Sequence, residues 1–113
     1  MKREFLKTLF QAYPYAEYFH FGDIDCGGFH IWKDLCLKTK IPFKTLSMDL
    51  ETYHKYLKWG RKLTEQDRKA LENMVKDPFF GYQSELFKSM LEHDVKLEQE
   101  CIDAMSDIKM ISL

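Results

Sequence analysis

A chain of 113 residues, 45% hydrophobic and 31% charged, is long enough to bury a core of its own, so a single folded domain over residues 1–113 is expected. A net charge of -1 gives no overall basic footprint for nucleic acid or an anionic membrane, although a local patch or bound metal can still attract phosphate. Three cysteines without CxxC pairing and no signal-like leader point to a reducing cytoplasm, and no run of roughly 18 apolar residues is present to span a membrane.

Phe5, Leu6, Leu9 and Phe10 recur at helical spacing and predict a short opening helix, stopped by Tyr13-Pro14-Tyr15. The aromatic run Tyr18-Phe19-His20-Phe21 suits a buried strand. Gly22, Asp23 and Asp25 end it, and Gly27 and Gly28 open a turn. Phe29, Trp32, Leu35 and Cys36 then line one helical face, with Lys38 to Lys40 near the negative end of the dipole. Ile41-Pro42 leads into a second strand over residues 43–48. Strand, helix, strand is the βαβ crossover, which requires parallel pairing.

Everything after Met48 reads as helix. Asp49 caps a short one carrying Leu50, Tyr53 and Leu57, closed by Gly60. Thr64 and Asp67 form a capping-box pattern for a helix burying Leu71, Met74 and Val75, which Asp77-Pro78 ends. Ser84 is the expected cap of the next, with Leu86, Phe87, Met90 and Leu91 inward, and a last helix carries Leu97, Cys101, Met105 and Ile108. The architecture is thus α/β: a βαβ unit followed by a helical half. Two parallel strands are not a stable sheet by themselves. Either a strand is hidden in the chain or another segment or subunit completes a larger sheet, and the second explanation is favoured.

Asp23 and Asp25 stand two apart at the C-terminal end of the first strand, where period-two geometry puts both carboxylates on one face and where open α/β sheets gather ligands. Two carboxylates so close repel each other unless a proton or cation intervenes, and a hard divalent ion prefers oxygen ligands. Gly27 and Gly28 permit close backbone approach, and the helix they begin offers N–H groups to a phosphate. The competing reading is a solvated turn with one aspartate capping the helix. Glu98 and Glu100 form a second acidic pair, but on a helix they diverge by about 200°. The four histidines show no ligand pattern, and Cys26 is a reactive thiol only if something lowers its pKa. Lys55, Lys58, Arg61 and Lys62 cluster around Gly60, either as a solvated face or as a contact for phosphates.

Phe19-His20-Phe21-Gly22-Asp23-Ile24-Asp25-Cys26-Gly27-Gly28-Phe29-His30-Ile31, with Leu46-Ser47-Met48-Asp49 and Leu97-Glu98-Gln99-Glu100, resembles the C-terminal domain of the JetD family. That family is the nuclease-like subunit of the bacterial Wadjet plasmid-defence system. Its domain is similar to the Toprim domain of the topoisomerase VI A subunit and of the meiotic double-strand-break enzymes. The resemblance runs in consistent order over nearly the whole chain. It implies a Toprim-like partial parallel sheet and a DNA cut dependent on Mg²⁺ (or Mn²⁺). Asp23 and Asp25 would hold the metal, and Glu98 or Glu100 would be the catalytic candidate in the second acidic element; the cofactor-binding role of Gly27 and Gly28 comes from the glycine turn itself. It also implies DNA as a partner of the full-length protein, SMC-type subunits of the defence complex, and a homodimer.

Two departures stand out. Cys26 replaces the family's usual Pro, and the strand bearing the Toprim glutamate is absent: Glu4 and Glu17 are the only acids upstream and neither has the expected context. The chain is therefore expected to be the C-terminal part of a longer protein, inactive in isolation. A non-catalytic module that docks a partner through the helices after Met48 is the alternative.

Overall fold

The opening amphipathic pattern forms α1 (Arg3–Ala12), and the aromatic run after Tyr18 narrows to a two-residue strand, β1 (Phe19–His20), in the computed structural model, which describes residues 3–100 and 102. Glycine-led α2 (Cys26–Thr39) then crosses to β2 (Lys44–Thr45), which pairs parallel with β1 in the register Phe19 to Lys44 and His20 to Thr45. The βαβ unit is therefore present. β2 is shorter than the predicted run over residues 43–48, and Ser47, at φ 54, turns the chain away before Met48. Trp32 Nε1 donates to the Phe43 carbonyl at 2.8 Å and fastens α2 to the second strand.

The next elements start with the caps that the sequence announces. Asp49 accepts the Thr52 N–H at the head of α3 (Leu50–Tyr56), and Thr64 and Asp67 form a complete capping box on α4 (Glu65–Val75). Ser84 is not the cap of α5 (Ser84–His93): it is the first helical residue, and Gln83 occupies the cap without a side-chain bond. The physical reason is the 3-10 turn Pro78–Gln83, itself capped by Asp77, which runs straight into the helix.

The expectation that everything after Met48 is helical is corrected by a second ladder. β3 (Arg61–Lys62) pairs antiparallel with β4 (Val95–Lys96). Gly60 allows it, since a Cβ there would stand 2.2 Å from Val95 Cγ1. Leu97, expected in the last helix, instead forms an antiparallel bridge with Ile24, their backbones exchanging bonds of 2.9 and 3.1 Å. Helix begins only at Gln99; Cys101, Met105 and Ile108 lie outside the described residues. The hidden strands β3 and β4 form a separate two-stranded sheet and add nothing to the first. The sheet of β1 and β2 has two strands among the described residues.

The main core gathers Ile24, Phe29, Met48, Tyr53, Leu71, Phe80, Phe87, Met90 and Leu97. Phe29, Phe80 and Phe87 meet edge to face at 5.0 to 6.4 Å. Each such ring contributes roughly 2–3 kcal/mol by burial. A smaller cluster of Leu6, Ile41 and Phe43 holds α1 against the βαβ unit. Among the described residues no helix is long and apolar enough to cross a membrane.

Candidate functional site

Ile24 is fully buried, and its bridge to Leu97 pins the loop that follows β1. The residues on either side of it, Asp23 and Asp25, are half-buried and line one open cleft of about 250 Å³. His20, Phe21, Gly22, Gly27, Gly28, Ile31 and Gln99 complete its walls. The pair lies in the loop beyond β1 rather than at the expected strand end, and extended backbone around the Ile24 bridge puts the apolar residue in the core and both acids in the cleft.

Each aspartate already holds one backbone amide. Asp23 Oδ1 accepts the N–H of Gln99, and Asp25 Oδ1 accepts that of Gly28 at 2.7 Å, which makes Asp25 the N-cap of α2. The second oxygen of each has no hydrogen-bond partner among the described residues. Burial above all raises the Asp25 carboxyl above its ordinary pKa; the Gly28 bond opposes this, and the neighbouring Asp23 charge adds to it. A cation between these groups would relieve both burial and repulsion.

The two glycines have different jobs. A Cβ on Gly28 would stand 2.0 Å from the Asp23 carbonyl oxygen, so only glycine lets the Asp23 backbone pass over the first turn of α2. Gly27 is exposed, and a Cβ there would meet Asp25 Oδ1 at an ordinary 3.5 Å. The Gly28 N–H, one of those expected to seat a phosphate, is given to Asp25.

Glu98 and Glu100 flank the cleft without lining it. Glu98 pairs with Arg61 at 3.3 Å, Glu100 is exposed, and Gln99 between them is the residue that enters. Among the described residues no group of three or more His, Cys, Asp and Glu could hold a metal ion. Cys26 is no activated thiol: burial, then the charges of Asp67 and Asp25, push it up to about 11, and its Sγ donates to the Asp67 carbonyl at 3.5 Å.

Three cleft-side residues escaped the reading of the sequence. Gln99 had no signal beyond its acidic neighbours. His20 sits in the aromatic strand; its Nε2 is buried without a partner among the described residues, and burial lowers its pKa. Lys96 bonds Asp67 Oδ2 at 2.8 Å across 29 residues, and its charge also favours ionised Asp25. Nothing local in a sequence reports such a contact.

Residues 5–109 match the family described as Wadjet protein JetD, C-terminal. The chain is 30% identical over 97 residues to Wadjet protein JetD of Bacillus cereus (strain Q1), covering 86% of this chain and 24% of that protein. No solved structure matches. The chain thus spans about a quarter of the length of that relative, and it belongs to the Wadjet JetD C-terminal family.

Proposed function

We propose that this chain is the metal-binding portion of a Toprim-type, Mg²⁺-dependent (or Mn²⁺-dependent) DNA endonuclease-like domain serving the Wadjet defence system. The observation that carries the reading is the Asp23/Asp25 pair: two half-buried carboxylates in one cleft, each with an oxygen uncommitted among the described residues, and Asp25 raised by burial first and by its neighbour's charge second. These residues fit a divalent ion that keeps most of its waters, which two carboxylates suffice to hold. When bound, such an ion would polarise a phosphodiester and neutralise developing charge. The chain's own residues do the positioning. Gly28 and the Gln99 amide fix both carboxylates, and buried Ile24 and Leu97 hold the loop rigid. Glu98 and Glu100 are proposed as the second acidic element, Glu98 being adjacent to the residue that holds Asp23.

The family match supports the defence role, and the relative's greater length leaves room for the glutamate strand, DNA contacts, SMC-type partners and a dimer interface elsewhere in a full protein. Calorimetric titration with Mn²⁺ tests the reading. Binding that is lost in Asp23→Asn and in Asp25→Asn, both of which keep an oxygen for the backbone amide, is the expected result. Equal affinity in all three proteins overturns it.

A partner-docking module without catalysis is the second reading. It is favoured by a cavity of about 380 Å³ between β2, α3 and α5 beside the fully exposed Tyr82. It predicts no divalent-dependent stabilisation.

A further inference from the structure

Residues 55–62 carry four cations (Lys55, Lys58, Arg61 and Lys62) and no acid, in a chain whose net charge is -1. All four are exposed. The end of α3, the 3-10 turn Leu57–Trp59 and β3 present them in sequence, and Trp59 stands among them 43% exposed with Lys58 Nζ 4.5 Å over its ring. Among the described residues, Glu98 stands 3.3 Å from Arg61, and Asp94 stands 4.0 Å from Lys62 and is shared with Arg68. Ion pairs this exposed are weak and exchange readily for a phosphate. The surface also adjoins the candidate cleft. Arg61 lies directly across the ladder from Lys96, and Glu98, its ion-pair partner, precedes the Gln99 that holds Asp23.

We infer that residues 55–62 form a contact surface for a nucleic-acid backbone, with Lys58 and Arg61 on successive phosphates and Trp59 against an unpaired base. Cations interleaved with an exposed aromatic ring are what a single strand engages, because phosphates supply charge and every base offers a face to stack. An anionic membrane is the less suitable occupant: within residues 55–62 Tyr56 faces the core and Leu57 is half-buried, which leaves Trp59 as a single exposed ring rather than an apolar face to insert. The inference rests on the proposed function for why nucleic acid should approach the cleft, and it needs no metal.

Fluorescence anisotropy with a labelled oligonucleotide of about 20 nucleotides, single-stranded or duplex and in EDTA, tests it. The chain should bind at low salt. The double variant Lys58→Glu/Arg61→Glu should weaken binding by roughly tenfold or more and flatten the salt dependence by about 1.5–2 in log–log slope. Trp59→Ala should weaken the single strand more than the duplex, and Lys69→Glu/Lys76→Glu, the same charge change on α4, should weaken neither more than about twofold. If charge reversal disturbs the fold, Lys58→Gln/Arg61→Gln reads the same effect. Absence of binding, equal weakening by both charge-reversed pairs, or tighter binding to phosphatidylserine-containing vesicles overturns the inference. Mn²⁺ titration of Asp23→Asn reads the metal site, and binding of the 55–62 variants in EDTA reads this surface without metal, so the two readings fail separately.

Discussion

The carboxylate of Asp23 accepts the backbone N–H of Gln99, 76 positions further along the chain. That bond joins the loop after β1 to the segment after β4, beside the Ile24–Leu97 bridge. Removing the acceptor should therefore loosen the contact between these two segments as well as the cleft. Asp23→Ala is expected to lower unfolding free energy in urea by about 1–2 kcal/mol, through an amide left without its partner. Asp23→Asn, which keeps an oxygen, is expected to lose less than about 1 kcal/mol.

Gly28 and Gly27 should respond in opposite ways to the same substitution. Gly28→Ala drives a methyl group against the Asp23 carbonyl oxygen and should destabilise by about 2–4 kcal/mol. Gly27→Ala meets only ordinary contacts and gains helix propensity, so it should stay within about 0.5 kcal/mol of the parent or exceed it. Paired denaturation curves check both.

Lys96 and Asp67 form a partly buried ion pair, 24% and 18% exposed in their side chains. Burial pushes Asp67 up, but hydrogen bonds from Lys96 and from the Thr64 backbone and hydroxyl outweigh it and hold the carboxyl below its ordinary 3.8. Asp67 bonding raises Lys96 above its ordinary 10.5 against the opposing effect of burial. A depressed carboxylate contributes stability above its unfolded pKa and loses it as pH falls through the folded one. A raised lysine contributes below its unfolded pKa and loses it as pH rises through the folded one. Lys96→Met should then destabilise at pH 7 by about 1–2 kcal/mol, and the deficit should close as pH falls below the carboxylate range. Unfolding measured between pH 2 and 8 tests the sign.

Cys26, held up to about 11, should resist iodoacetamide at neutral pH in the native chain and react fully once unfolded. Peptide mass spectrometry of the alkylated protein distinguishes this from a thiol activated for chemistry.

The βαβ unit was legible because its signals are local. An aromatic run, two glycines, a helical face of Phe29 and Trp32, and a second apolar run each declare their period within a few residues. Asp49 and the Thr64/Asp67 box likewise act within one turn. β3 and β4 were not legible, since two-residue strands such as Arg61–Lys62 have no period to read and exist only through pairing across more than thirty residues. Leu97 fitted a helical interval of four to Cys101, yet pairing with Ile24 decided its conformation. The carboxylate pair was visible in the sequence, but its surroundings were not: Gln99 and Lys96 reach it from the far end of the chain.

Thermal unfolding with and without millimolar Mn²⁺, for the parent chain and for Asp23→Asn, reads metal binding at Asp23 and Asp25. A site built from Asp23 and Asp25 predicts a rise in the parent's midpoint that the variant loses, since an ion bound only by the folded state stabilises it by mass action. An unchanged midpoint in the parent, or an equal rise in both proteins, would contradict it.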